Sequence, residues 1–321
     1  MPDAIVIDVA SWSPDEEHSI FPEGSRDKEL LRCPHPPPHP ELIANHRYLF
    51  KQSRRAYPDQ FWAEVVAYRI GLLTGVRVPP AYPAWNSATG VCAALIEWFY
   101  GYLERPHEGF LSGGLFMKSL IQSYDMKRGR QHNFWHIEVL CTALSWQEIR
   151  GNVALQADWV VAWARMLVFD ALIGNTDRHH ENWGLVIDRG RHDDRPNTYL
   201  APAFDNGTSL GHERFANSFA RFDDPNYLAR YLAKGHHHMR WHMQDERQAG
   251  HAELLLKLAE KYPHCRQPML DVLAFNPEQL EQELAALAAL QSLVPLSPER
   301  ARFMLRLTLA RRARLANALT V

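Results

Sequence analysis

The segment that most constrains the fold is residues 170–184, Asp-Ala-Leu-Ile-Gly-Asn-Thr-Asp-Arg-His-His-Glu-Asn-Trp-Gly. The run that leads into it, 162–173, has the spacing of an apolar helix, and a short strand-like run leaves it. A second apolar stretch, 198–204, leads to Asp205, and the Asn-Gly dipeptide behind Asp205 favours a sharp turn. The sequence therefore predicts a helix, a polar loop and two strands, with acidic side chains at the turns.

The polar residues of these turns form the set that a phosphoryl-transfer site requires. Asp177 precedes Asn182 by five residues, and Asp205 supplies a second carboxylate. In such a site one carboxylate orients the attacking hydroxyl, while an amide oxygen and a second carboxylate hold the Mg²⁺ that neutralises charge on the transferred phosphate. An Asp-x-x-x-x-Asn pair also recurs by chance, so the alternative is a capped turn and an Asn-Gly hairpin without chemistry.

The order of residues in both turns is similar to that of a known family. The pattern Thr-Asp-Arg-His-His-Glu-Asn-Trp over 176–183, followed by Ala-Pro-Ala-Phe-Asp over 201–205, resembles the HipA-like serine/threonine kinases, bacterial proteins distantly akin to the phosphoinositide kinases. The resemblance implies that Asp177 is the catalytic residue and that Asn182 and Asp205 bind Mg²⁺. The resemblance supports phosphoryl transfer as the reaction better than it identifies the substrate.

Candidates for an ATP-binding half lie upstream in the expected order. A turn with Gly24, Ser25 and Lys28 could bring backbone amides close to phosphate oxygens. A short strand then ends in Lys51, whose ammonium group could meet the phosphates as a point charge. The apolar helix that follows carries Glu64, which could pair with Lys51. The alternative is that Lys51 and Glu64 are solvated charges at the ends of their elements.

The resemblance assigns roles in this half as well. In HipA-like proteins a Gly-x-x-x-Lys loop precedes a strand lysine, and the segment from Gly24 to Lys28, followed by Lys51, stands in that arrangement. The apolar strand predicted over 91–100 would then be the hinge. Its residues Glu97 to Phe99 are expected to contact adenine through the backbone, although the same run would also suit a buried strand without that role.

Together, the pattern and the resemblance predict an α+β, two-lobed protein-kinase-like fold. Residues 1–100, with strands and one helix, would form an N-lobe that binds ATP, and residues 101–321 would form a mainly helical C-lobe with the catalytic loop and the metal site. The first ten residues are interpreted as a strand rather than a signal peptide. The clearest helices are predicted over 159–173, 245–262, 277–291 and 297–319.

Composition narrows the classes of function. The net charge of -2 gives no field that would attract nucleic acid or an anionic membrane over the whole surface. The four cysteines are scattered without a Cys-x-x-Cys pair, which argues against a disulfide framework and against a cysteine zinc site. No run approaches the roughly 18 apolar residues of a membrane helix. We therefore expect a cytoplasmic protein that binds neither a membrane nor nucleic acid directly.

Two further segments have alternative interpretations. His238 and His242 are four residues apart, a spacing that on a helix would let two imidazoles share a zinc ion, but no nearby cysteine completes the set. We favour a polar patch near the cleft in which Lys234, Arg240 and the histidines face phosphate or substrate. The arginine-rich stretch 300–314 is interpreted as an amphipathic helix with a solvated face, and nucleic-acid or partner binding is its minor alternative.

These observations predict an ATP-dependent kinase that uses Mg²⁺ and phosphorylates a hydroxyl, with serine or threonine of a protein as the preferred acceptor. Arg178 and His179 would brace the loop or contact the phosphate, and His179 is counted among the predicted catalytic residues. A lipid or small-molecule kinase would use the same metal site, and a pseudokinase would bind ATP without transferring phosphate. The resemblance also implies a toxin role, with a small DNA-binding antitoxin as partner.

Overall fold

Strands dominate the first third of the structure and helices dominate the rest, so the predicted α+β class is confirmed. The predicted turn residues Gly24 and Ser25 lie outside the described part of the chain. The computed structural model describes residues 1, 3–15, 27–126, 131–145, 155–190 and 197–320.

A six-stranded sheet forms the N-terminal part of the structure. Its strands follow the order β1-β5-β6-β4-β3-β2, in which β1 and β5 are parallel and all other neighbours are antiparallel. Lys28 and Lys51 face each other in the register of β3 and β4, so both lysines lie at the same end of the sheet. The strands are β1 (Ile7–Asp8), β2 (Ser13–Pro14), β3 (Lys28–Arg32), β4 (Arg47–Gln52), β5 (Ala81–Asn86) and β6 (Val91–Glu97).

Helix α1 (Trp62–Thr74) connects β4 to β5 and carries Glu64. It ends at Gly75, whose φ of 65° is a left-handed conformation that glycine adopts without steric cost. Almost every side chain of α1 is buried, and a helix that is buried on all sides belongs to the protein interior. The indole Nε1 of Trp62 donates a hydrogen bond of 2.9 Å to the carbonyl of Val294, which ties α1 to the C-terminal helices.

A smaller antiparallel sheet lies next to the helical part, in the order β7-β8-β9. Strands β8 and β9 are the runs predicted to follow the polar loop and to precede Asp205. The sheet therefore anchors both polar turns on neighbouring strands. Its strands are β7 (Glu108–Ser112), β8 (Gly184–Asp188) and β9 (Thr198–Leu200).

Eight further α-helices and two 3-10 helices, Ala216–Asp223 and Pro263–Cys265, build the C-terminal part of the described chain. The α-helices are α2 (Gly113–Leu120), α3 (Phe134–Ser145), α4 (Trp159–Ile173), α5 (Pro225–Ala233), α6 (His251–Lys261), α7 (Arg266–Leu273), α8 (Pro277–Ala288) and α9 (Pro298–Thr320). None of the helices in the described ranges combines the length and the apolar character that crossing a membrane would require.

The four clearest predicted helices are present, and α4 has the predicted boundaries. The hydroxyl of Ser297 caps the start of α9, since it accepts a hydrogen bond from the backbone N–H of Arg300. Helix α6 begins later than predicted, at His251, because the preceding backbone forms a bridge between His236 and Gly250 instead of a helical turn.

The largest hydrophobic core joins the two parts of the structure. It contains side chains of α1, of α4 and of α6 to α9, together with one face of the first sheet. A smaller core covers the opposite face of that sheet and includes Tyr48, Phe50 and Leu95. Helix α4 lies within the large core, with Trp163 and Leu167 almost fully buried. Its C-terminal end therefore holds the polar loop in a fixed position.

Candidate active site

Lys51, at the end of β4, lies between two carboxylates that come from different parts of the chain. Its Nζ is 2.9 Å from Oε1 of Glu64 and 2.7 Å from Oδ1 of Asp205. The side chains of Lys51 and Glu64 are nearly fully buried, whereas that of Asp205 is 29% exposed. The predicted contact between Glu64 and Lys51 is therefore present, and it extends to the segment that follows β9.

The backbone turns at Asp205, as the Asn-Gly dipeptide predicted. Asp205 has a φ of 55°, in the left-handed region that Asp and Asn tolerate better than most residues. The N–H of Asn206 donates a hydrogen bond of 2.8 Å to Oε2 of Glu64. Glu64 therefore holds Lys51 with one carboxylate oxygen and the Asp205 turn with the other.

The polar loop starts where α4 ends, at Gly174, which has a φ of 68°. Inside the loop, the side-chain oxygen of Asn175 accepts a hydrogen bond of 2.9 Å from the N–H of Asp177. Nδ2 of Asn182 donates a hydrogen bond of 2.7 Å to the carbonyl of Asp177. Because the amide nitrogen of Asn182 faces this carbonyl, its amide oxygen is the group that remains to bind a cation.

Arg178 connects the polar loop to the Asp205 turn from within the protein interior. Its guanidinium binds both carboxylate oxygens of Asp170, at 3.0 and 2.7 Å, and neither side chain is exposed. It also donates to the carbonyls of Asn182 and Phe204 and to the side-chain oxygen of Asn206. All five N–H donors of an arginine are thereby used. Of the two predicted roles, Arg178 braces the loop and has no donor left for a phosphate.

The charge of Asp170 is maintained by its partners. Burial alone would raise the pKa of this carboxyl, but the positive charge of Arg178 outweighs burial and, with a hydrogen bond from His237, lowers the pKa to about 2. His237 lies 3.3 Å from the carboxylate through Nε2. Sequence reasoning missed both Asp170 and His237. The available signal was a single carboxylate inside an otherwise apolar helix, since a buried charge needs a partner.

A group of histidines packs against the polar loop and against Trp183 at its end. His132 is fully buried, accepts a hydrogen bond of 2.9 Å from the indole of Trp183, and lies 3.4 Å from His238 between their Nδ1 atoms. Burial, reinforced by the neighbouring imidazoles, holds the pKa of His132 well below its usual range and lowers that of His238 to about 4. The ring of His179 contacts His180 and His238, and its Nδ1 accepts from the backbone of the loop. The catalytic role of His179 stays a prediction.

The premise of a zinc site at His238 and His242 is wrong, because the segment 236–242 is not helical and the two side chains do not share a helix face. His242 instead packs on Trp135, with ring centroids 5.1 Å apart. In the described part of the chain there is no group of three or more His, Cys, Asp or Glu side chains placed to hold a metal ion.

The predicted hinge lies at the end of β6. The carboxylate of Glu97 accepts hydrogen bonds from the hydroxyls of Tyr102 and Tyr48, and burial raises its pKa. The backbone N–H of Glu97 donates to the carbonyl of Pro80, just before β5, and that of Trp98 donates to the carbonyl of Arg47 in β4. Phe99 stacks on the ring of Phe204, the residue before Asp205, at 5.0 Å. Glu97 is therefore engaged in the sheet, and Phe99 is the predicted hinge residue closest to the Asp205 turn.

Comparison with known proteins gives a fold but no sequence relative. No protein-family model matches the chain, and no curated protein matches its sequence significantly. The Helicobacter pylori proinflammatory kinase CtkA has a similar solved structure, with a TM-score of 0.73 and 14% identity over 98% of this chain and 97% of that chain. HipA of Shewanella oneidensis MR-1, solved with HipB and operator DNA, matches with a TM-score of 0.54 and 11% identity over 96% of this chain and 68% of that chain.

Proposed function

Because the chain has the HipA-like kinase fold, we propose that it transfers the γ-phosphate of ATP to a hydroxyl, and that the acceptor is serine or threonine of a protein. One observation carries the proposal. The guanidinium of Arg178 binds the carbonyls of Asn182 and Phe204 together, so the loop with Asp177 and the turn with Asp205 lie side by side. Lys51 reaches the same place from the first sheet.

The residues at this place fit a magnesium ion. Mg²⁺ prefers oxygen ligands, and it is usually held by one or two protein groups together with phosphate oxygens. The hydrogen bond that the amide nitrogen of Asn182 donates to the carbonyl of Asp177 orients its amide oxygen, and the carboxylate of Asp205 is 29% exposed. When bound, the ion would supply positive charge to the transferred phosphoryl group. Asn182 and Asp205 are therefore the proposed ligands.

Asp177 is the proposed group that orients the acceptor hydroxyl and receives its proton. It is partly exposed at the surface of the loop, while its backbone is held on both sides by Asn175 and Asn182. A carboxylate fixed in this way positions a hydroxyl for in-line attack at little entropic cost. His179, the second predicted catalytic residue, lies two residues after Asp177 in the same loop.

The nucleotide is proposed to bind on the side of the first sheet. Lys51 would hold its phosphates, with Glu64 keeping the ammonium group in place. Lys28 lies opposite Lys51 in the sheet and closes the predicted turn of Gly24 and Ser25, which is proposed to contact phosphate through backbone amides. The adenine would contact the backbone at Phe99.

Transfer from labelled ATP tests the proposal directly. In Asp177→Ala or Asp205→Ala, phosphate transfer to a protein extract is expected to fall on the order of 100-fold or more, because each change removes a group that acts on the reacting atoms. Asp271→Ala is the matched control, since Asp271 is an exposed carboxylate on α7 whose partner is Gln267. Turnover that is unchanged in both site variants would contradict the assignment. Labelling of phosphoinositides instead of protein would identify a lipid kinase.

A small DNA-binding protein is proposed as a partner, on the basis of the similar HipA structure that was solved with HipB and operator DNA. The test is to co-express the chain with a helix-turn-helix protein encoded in the neighbouring reading frame. Retention of that protein on the purified chain is expected, together with relief of any growth inhibition that the chain causes alone.

A further inference from the structure

A cleft of about 590 Å³ opens beside the polar loop. One wall contains Gly174 and Thr176 of the loop and Thr208 behind the Asp205 turn, and the other walls come from the end of α5, the start of α6 and the last turns of α9. Because Thr176 directly precedes Asp177, the cleft begins about 4 Å along the backbone from the proposed catalytic residue. It therefore adjoins the place where an acceptor hydroxyl would sit.

Cations outnumber carboxylates in this cleft, whereas the whole chain has a net charge of -2. Two of its arginines are balanced locally, since Arg214 lies 3.2 Å from Glu213 and Arg247 lies 3.0 Å from Glu253. The other three cations have no carboxylate within 4.0 Å among the described residues. These three are Lys234, Arg311 and Arg314.

Arg311 is the most firmly placed of the three. Its guanidinium donates to the carbonyl of Ile173 at 3.2 Å and lies 5.8 Å from the centre of the Tyr231 ring. Gly174 allows this approach, because a Cβ at that position would lie 2.2 Å from the guanidinium carbon. Burial lowers the pKa of Arg311. Tyr231 and the more distant charge of Glu213 offset part of this effect. A half-buried guanidinium without a carboxylate in direct contact gains more from a bound anion than a fully solvated one does.

The anion is most consistent with a carboxylate on a peptide. The cleft walls also contain Glu213 and Glu253, which would repel the continuous row of phosphates in a nucleic acid. Arg311 lines the cleft, where it can contact a single carboxylate, and the exposed Lys234 and Arg314 add positive charge at the rim. An extended peptide advances about 3.3 to 3.6 Å per residue, so a side chain in the cleft lies a few residues from the hydroxyl at Asp177.

We propose that this cleft selects the acceptor, by binding an Asp or Glu side chain two to four residues away from the serine or threonine that is phosphorylated. The inference rests on the proposed kinase function, to which it adds a preference for acidic protein substrates. Lys234, Arg311 and Arg314 would recognise the acidic side chain, and all three lie outside the proposed metal site.

Binding of fluorescent peptides, measured by anisotropy without ATP, tests the cleft independently of catalysis. The peptides share one sequence around a serine and differ in having Glu, Gln, Lys or phosphoserine at positions two to four residues away. We expect the Glu peptides to bind about tenfold more tightly than the Gln peptides at low salt, and the difference to shrink as salt screens the charges.

The double variant Lys234→Gln/Arg314→Gln should lower the ratio of Glu to Gln affinity to about one to threefold, since it removes the charge at the rim. Arg302→Gln is the matched control, because Arg302 is an exposed arginine of the same helix that pairs with Glu299 outside the cleft. A ratio near one in the unaltered protein, an equal loss in Arg302→Gln, or tight binding of only the phosphoserine peptide would each overturn the inference. Failure of phosphate transfer alone would refute the kinase proposal and leave this binding result intact.

Discussion

Replacing Arg178 by methionine tests whether one buried cation holds the candidate site together. Arg178→Met keeps an unbranched side chain of similar length but removes all five hydrogen bonds of the guanidinium. The carboxylate of Asp170 would remain buried without a cation of full charge beside it, with His237 and the side-chain amide of Asn175 as its remaining partners. Because breaking a buried ion pair from one side leaves an uncompensated charge, this change acts on stability as well as on the site.

The magnitude follows from the partners that are lost. An unpaired buried carboxylate costs roughly 3 to 5 kcal/mol. The carbonyls of Asn182 and Phe204 and the side chain of Asn206 each lose a donor, which adds about 1 kcal/mol each. The expected loss in the free energy of unfolding is therefore about 6 to 8 kcal/mol, which is comparable with the roughly 5 to 15 kcal/mol of a whole domain.

The double variant Asp170→Asn/Arg178→Met separates the charge from the hydrogen bonds. It removes the buried negative charge, so it should recover about 2 to 4 kcal/mol relative to Arg178→Met. Urea unfolding followed by tryptophan fluorescence is a suitable assay, since Trp163 and Trp183 are buried next to the loop. A double variant no more stable than the single one, or a loss below about 1 kcal/mol in Arg178→Met, would falsify the view that the ion pair supports the loop.

Three further predictions concern the same region. Lys51→Met should reduce phosphate transfer at least about 100-fold, because Glu64 and Asp205 lose the cation that they share. The melting temperature is the control for folding. Gly174→Ala should lower the free energy of unfolding in urea by roughly 2 to 4 kcal/mol, because Gly174 has a φ of 68° and the new Cβ would meet Arg311. The control Gly90→Ala, with a φ of 73° and open space around it, should cost only about 1 kcal/mol. Equal losses in the two variants would contradict the packing argument. His132 is neutral in the folded protein, but in the unfolded chain it takes up a proton below about pH 6.5, so protonation should lower the free energy of unfolding by roughly 1.4 kcal/mol at about pH 5.5 relative to neutral pH. His132→Gln should remove that part of the pH dependence. An unchanged slope of the free energy of unfolding against pH would exclude this contribution of His132.

Segments with a strong periodic pattern could be predicted from the sequence. Helix α4 is largely apolar and ends at a glycine, and its boundaries were predicted because the apolar run and its stop signal coincide. The side-by-side order of Lys51 and Glu64 on a strand and the following helix likewise suggested their contact, which is present. Local signals account for the boundaries of α4, whereas the pairing of Lys51 with Glu64 was one of two interpretations that the local sequence allowed.

Two of the shorter helices were missed. Helix α5 has an apolar stripe of Tyr227, Leu228, Tyr231 and Leu232, which packs against a small buried cluster, and Asp224 and Pro225 at its start are capping signals, so the sequence contained a usable signal for it. Helix α2 begins with Gly113 and Gly114, which disfavour a helix locally. Packing explains the first of them, because a Cβ at Gly113 would lie 2.2 Å from the Trp183 ring. At α2 tertiary contacts, rather than propensity, therefore decide the structure.

The support beneath the candidate site was the least predictable part. Asp170 and Arg178 are eight residues apart, and the sequence around them gives no indication that Arg178 also reaches the carbonyl of Phe204, 26 residues further on. Such contacts depend on how β8 and β9 pair, which fixes the distance between the loop and the turn. The residues proposed to act in the reaction were recognisable because the chemistry allows few residue types. Many different residue types could have positioned them, so the supporting residues were not recognisable.

The burial of helix α1 has a consequence for control. In protein kinases the helix that carries the lysine's glutamate partner is often the element whose position switches activity. Here that helix is enclosed by the largest core and bonded through Trp62 to the chain before α9, and each buried apolar side chain withdrawn from such a core costs roughly 1.5 to 3 kcal/mol. Swinging it outward would amount to partial unfolding. Under the proposed kinase function, a regulator is therefore expected to govern access to the active site rather than the contact between Lys51 and Glu64, which is already formed in this structure.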